Sequence, residues 1–241
     1  MDYTQEIITS SLWIARTLAL TVIFFSLGIF LLVRLTNWGK QFWMFAGGYL
    51  SPKRSIKPLL FFVLIVTLTL FSVRLSLVHS TWYNNMYTSL QEFNQTVFWE
   101  QMILFCFIAG FSVTAALISY YLNQRFSINW IEWLNTELLE KWMDKRAYYK
   151  SQYMSNNLDN PDQRIQQDIQ SYVKTTLSLS TGVIDAVTSM ISYTILLWGL
   201  AGPMTLLGVE IPRAMVYLVF AYVIFTTLIA FWLGKPLIRL N

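Results

Sequence analysis

Five long apolar runs constrain this chain more than any other feature. They lie near residues 12–33, 59–78, 102–122, 177–200 and 214–233, called runs A to E here. A helix needs about 20 mostly apolar residues to cross a bilayer's hydrocarbon core. Inside lipid, backbone amides must find their partners within the segment itself. Each run is therefore predicted to be a spanning helix, and the fold class is an all-α integral membrane protein with about five spans. Only 12% of residues are charged and 55% are hydrophobic, against about 25% charged in a soluble domain. Run A carries Arg16 near its start, which makes its span the least firmly marked of the five. Asp2 and Glu6 precede a run too long for a signal peptide's apolar region.

Several chemistries find no support. Cys106 is the single cysteine and His79 the single histidine, so no disulfide framework and no histidine–cysteine metal cluster is expected. No serine has a histidine or acid placed as a nucleophile's partner. The chain lacks a G-x-x-x-x-G-K-[ST] phosphate loop. No catalytic residues, no metal and no cofactor are therefore assigned within it.

Basic residues are unevenly placed. Arg34, Lys40, Lys53, Arg54 and Lys57 lie between runs A and B, and Arg125, Lys141, Lys145, Arg146, Lys150, Arg164 and Lys174 lie between C and D. The connection between B and C, residues 79–101, has none. The positive-inside rule puts the basic connections in the cytoplasm, the N-terminus outside and the C-terminus inside. The net charge of +4 then reflects topology and lipid headgroups, and no nucleic-acid partner is expected. Trp82, Tyr83, Tyr87, Phe98 and Trp99 read as an outer aromatic belt, and Trp38, Phe42 and Trp43 as an inner one. "WGKQFWMFAGGYL" reads as a short helix on the cytoplasmic surface.

Between runs C and D the apolar character fades while helical periodicity persists. Phe126, Trp130, Trp133, Leu134 and Leu138 recur at spacings of three and four. Glu137 and Lys141 form an i,i+4 pair, and Glu132 and Arg125 decorate other faces. A helix from residue 99 to about 148 would be roughly 75 Å long, of which the hydrocarbon core takes about 30 Å. "SQYMSNNLDNPDQ" then breaks it. A second helix is predicted from there into run D, with Asn160 as N-cap, Pro161 in the first position and Gln163 closing a capping box. Asp162 favours the positive helix end. Ile165, Ile169 and Val173 continue the apolar stripe. Two spans are thus expected to extend into the cytoplasm, joined by a polar turn. Such a pair can turn a push at its tip into tilt of both spans, or it can serve packing alone.

Ionisable groups within spans are costly and often functional. Asp185 lies near mid-depth in run D and Arg74 near the outer end of run B. Asp185 is a candidate for lining a transport pathway, or it bonds neighbouring hydroxyls such as Thr181 and Ser189. Arg74 is a second pathway candidate, or it snorkels to the outer interface.

The string "DNPDQRIQQDI", followed by "KTTLSLSTGVIDAVTSMISYTILLW", resembles the transmembrane domain shared by SbmA/BacA-type peptide uptake transporters and subfamily-D-like ABC transporters. The likeness runs from residue 58 to 241 and includes "WYNNMYTSLQEFNQTVFW" and "GKPLIRLN". It implies exporter-type ABC transmembrane helices. Residues 58–241 would supply core helices one to four, with an intracellular coupling loop at about 125–175. Residues 1–57 would form an extra N-terminal span and an interfacial helix. It further implies that Asn160, Pro161, Asp162, Gln163, Arg164 and Asp168 face a nucleotide-binding domain, fused or separate. ATP and magnesium would bind there, outside this chain, and a second transmembrane domain would complete a homodimer in a bacterial inner membrane. The full N-P-D-Q-R-I string is similar to the ATPase-linked branch, whereas the extra span and "SPKR" resemble the SbmA/BacA branch. The chain is expected to be one piece of a longer or split transporter. Three functions remain open at this point: an ATP-driven transporter, a proton-coupled peptide importer and a non-transporting scaffold.

Overall fold

The computed structural model describes residues 3–51, 55–144, 161–206 and 209–235. Helices dominate: α1 (Tyr3–Leu35), α2 (Asn37–Leu50), α3 (Lys57–Gln91), α4 (Gln95–Met143), α5 (Pro161–Leu200) and α6 (Ala214–Gly234). Two short strands, β1 (Met204–Leu206) and β2 (Val209–Ile211), pair antiparallel between α5 and α6, with Met204 opposite Ile211. All five predicted spans are helices long and apolar enough to cross a membrane. The end of the first unit where α2 packs against α4 and α5 is called the basic side, after the lysines and arginines that the sequence places between runs A and B and between C and D.

The helix ends follow their local chemistry. Pro58 sits in the first turn of α3, where its missing N–H is no loss. Asn94 caps α4, its side chain accepting from Val97 N at 3.2 Å. Residues 79–101, expected as an outer loop, are mostly helix. α3 runs on to Gln91 and α4 begins at Gln95, leaving only a three-residue turn. No proline or glycine interrupts residues 79–101, so helix propagation outlasts the hydrophobic signal. The turn closes through the Asn94 N–H bonded to Ser89 O at 2.9 Å and through Phe93 in the left-handed region, φ 53°.

The aromatic residues of that segment divide. Tyr83, Tyr87 and Trp99 are exposed as a belt requires, but Trp82 is buried. Its indole N–H donates to Gln101 O at 2.8 Å and its ring stacks on Phe105 at 4.8 Å. His79 meets Trp82 edge-on at 5.2 Å. Helix α1 also exceeds its expected limits and starts at Tyr3.

The chain divides into two compact units, residues 1–186 and 187–241. In the first, Val66 and Leu70 of α3 and Ile184 of α5 form one buried cluster, with Leu18 and Phe25 of α1 packed on it. A larger one gathers Ala46 and Tyr49 (α2), Ile65 (α3), Phe126, Trp130 and Leu134 (α4), and Ile169, Val173 and Leu177 (α5). The second unit holds the last turns of α5, the strand pair and α6. There Arg213 takes a left-handed backbone, φ 59°, and its guanidinium lies 4.5 Å above the Trp198 ring. The strand pair was not anticipated: three-residue strands leave too short an alternation to read.

Candidate functional site

Beyond their apolar runs, α4 and α5 continue on the basic side as a helical pair, and the larger cluster sits there. The predicted stripe of Phe126, Trp130 and Leu134 is fully buried, as are Ile169 and Val173 facing it. Glu137 and Lys141 form the expected ion pair at 3.1 Å, with Lys141 well exposed. Arg125 instead reaches Tyr121 Oη at 3.5 Å, one turn back on its own helix. The expected extension of α4 to about residue 148 passes Met143 into residues outside those described.

Helix α2 is helical as expected, and it packs against α4 and α5. Tyr49 stacks on Trp130 at 5.5 Å and 5°, and meets Phe126 edge-on at 5.7 Å. The Tyr172 hydroxyl of α5 donates to Phe42 O of α2 at 3.0 Å, and its ring lies 5.7 Å from Phe45. Gly48 lets Trp133 approach closely: a Cβ there would come within 2.8 Å of the Trp133 ring edge, and the ring would have to shift. Burial pushes the Tyr49 phenol's pKa up, because the charged form would lose its hydration.

The motif residues open α5. Pro161 is its first residue, and Asp162, Gln163 and Arg164 fall in its first turn, with Asp168 one turn further. Gln163 and Asp168 are exposed, while Ile165 and Ile169 face the aromatic cluster. The Asn160 cap lies outside the described residues. An open cleft of about 600 Å³ runs between α4 and α5, lined by Gln124, Ser127, Asn135, Thr136, Gln170 and Lys174 among others. The Ser127 hydroxyl is buried there without a hydrogen-bond partner among the described residues. No group of metal-ligating side chains occurs among the described residues.

The two in-span ionisable residues behave differently. Asp185 is exposed on α5 and has no hydrogen-bond partner among the described residues. The Thr181 hydroxyl is committed to Leu177 O at 2.9 Å. Arg74 is engaged. Its Nη2 lies 2.6 Å from Glu6 Oε1, its Nε donates to Ser10 Oγ at 3.0 Å, and its guanidinium lies 5.9 Å from the Trp13 ring centre. The three partners come from one face of α1, at i, i+4 and i+7. Glu6, Tyr49 and Tyr172 were not singled out from sequence. Glu6 and Ser10 at helical spacing, opposite an in-span arginine, were the available signal.

Comparison with known proteins assigns this architecture. The family model described as ABC transporter transmembrane region 2 matches residues 45–241. An uncharacterized ABC transporter ATP-binding protein of Haemophilus influenzae is 79% identical over the whole chain, which covers 41% of that relative. The inner membrane ABC transporter ATP-binding protein YddA of Escherichia coli is 31% identical over 84% of the chain and 36% of the relative. The ABC transporter D family member 2, chloroplastic, of Arabidopsis thaliana is 27% identical over 86% of the chain and 27% of the relative. The chain thus spans less than half the length of these curated relatives. Five helices long and apolar enough to span a membrane, the two longest of 49 and 40 residues, and a family match over most of the sequence lead to one conclusion: the chain belongs to the ABC transporter transmembrane region 2 family.

Proposed function

We propose that this chain is the membrane part of an ATP-driven transporter, in which α4 and the start of α5 receive the push of an ATP-binding domain. The observation that carries this reading is the overlong helix pair. α4 has 49 residues and α5 has 40, about 74 and 60 Å, far more than a bilayer requires. The α5 start carries Pro161, Asp162, Gln163, Arg164 and Asp168, and with Asn160 these form the coupling surface. The basic side is cytoplasmic, the N-terminus lies outside, and the membrane is a bacterial inner membrane. ATP and magnesium act in the partner domain, fused or separate, and a second copy of this region completes a homodimer. The words "ATP-binding protein" in the relatives' names favour this over proton-coupled import or a scaffold. Asp185, exposed and without a partner in its span, lines the pathway, where a lone carboxylate suits a cationic group or a proton.

The test uses the intact transporter in proteoliposomes. Arg164→Ala should lower ATPase activity about tenfold, within the usual range of coupling energies. Unchanged ATPase activity with normal transport would remove the motif from coupling. Asp185→Asn should cut transport while basal ATPase persists; normal transport would remove Asp185 from the pathway.

A further inference from the structure

The α1–α2 segment is fastened to the rest of the first unit at both ends, with Leu18 and Phe25 of α1 packed on α3 and α5 in between, and it turns through a stiff corner. At the basic side Tyr49 stacks on Trp130, and Tyr172 bonds the Phe42 carbonyl. At the opposite side Glu6 and Ser10 hold Arg74 of α3. The corner is the single non-helical residue Thr36. Its hydroxyl donates to Leu32 O at 2.7 Å and accepts from Gly39 N at 2.9 Å. A Cβ on Gly39 would overlap the Leu32 carbonyl oxygen, so the two helices meet backbone to backbone. A corner bonded on both sides and closed to side chains bends little.

We propose that α1–α2 is a lever. α2 travels with the basic-side extension of α4 and α5, and α1 turns with it against α3, along the apolar contact of Leu18 and Phe25 and up to the Arg74 pin. Tyr49 and Tyr172 are its positioning residues. Tyr172 is one helical turn from Asp168 on α5, so displacement at the coupling surface reaches α2 through one turn of helix and one hydrogen bond. A helix lying only on lipid would be free to stay behind when α5 tilts. One clasped by a stacked aromatic pair and a backbone bond must follow it. This inference rests on the coupling reading above.

The experiment separates the two. The intact transporter in nanodiscs, with exposed Cys106 replaced by serine, receives spin labels at two pairs of exposed positions. One pair is Lys40 (α2) with Lys174 (α5), and the other is Lys174 with Thr81 (α3). Distances are read without nucleotide and with Mg-ATP plus orthovanadate. The lever requires the second pair to shift while the first stays constant. In the Tyr49→Leu/Tyr172→Phe variant the first pair should become nucleotide-sensitive, which a merely structural defect would not produce. Tyr172→Phe alone keeps the ring and covers the case in which the double variant does not fold. It should widen the Lys40–Lys174 distribution. If the first pair shifts in the unmodified protein, or stays constant in both variants while the second shifts, the lever is wrong and coupling survives. If the second pair never shifts, the coupling reading fails and the lever with it.

Discussion

The two ends of the α1–α2 segment meet their neighbours through different chemistry. On the basic side the junction is aromatic and apolar, with Tyr49, Trp130, Phe126 and Tyr172 around a buried core and one hydrogen bond. On the opposite side it is one arginine held by a carboxylate, a hydroxyl and an indole face. The difference teaches where each force operates. Outside the hydrocarbon core, burying apolar surface is rewarded by water. Within it lipid is as apolar as leucine, so helix association depends on close packing and on polar groups that bond across helices. Arg74 lies 17 residues into α3, about 25 Å along it, where an unpaired guanidinium would be costly.

Trp130→Ala should break the comparison hardest. It empties the centre of the aromatic junction and should cost about 3–5 kcal/mol, read as a large thermal shift of the detergent-solubilised protein. A small shift would mean that the junction is not the core of this unit. Gly39→Ala should cost about 1–3 kcal/mol, because overpacking against backbone cannot relax by rotating a side chain. A neutral outcome would show that the corner is open. Arg74→Ala should cost about 1 kcal/mol, in keeping with polar contacts between membrane helices, and Glu6→Gln less, since the amide oxygen still accepts. If Arg74→Ala matched Trp130→Ala, the ranking of the two junctions would be overturned. Tyr172→Phe removes one hydrogen bond and should cost about 0.5–1.5 kcal/mol while leaving the helix content unchanged by circular dichroism. A larger loss would place Tyr172 among the core residues rather than at the clasp.

The five spans and the overlong helices were readable because their signals are local. Apolar length marks a span, and the stripe of Phe126, Trp130 and Leu134 marks the face that will be buried. The α5 start was readable for the same reason, since Pro161 carries its helix signal in its own ring. Helix ends were less readable. Residues 79–101 look like a loop by polarity, yet nothing in them stops a helix, and only Asn94 and the Phe93 turn set the boundary. The strand pair between α5 and α6 was missed because it is shorter than any pattern that could announce it.

What the sequence determined by itself was the number of spans, the helical pair on the basic side and the composition of its buried face. Each follows from residue hydrophobicity repeated at helical period within one segment. What only the tertiary structure decided was partnership. Arg74 could have faced a pathway, a headgroup or a carboxylate, and its pairing with Glu6 joins positions far apart in the chain. Tyr49 could have faced lipid and instead stacks on Trp130. Such pairings depend on which helices stand side by side, a property of packing that no single segment encodes.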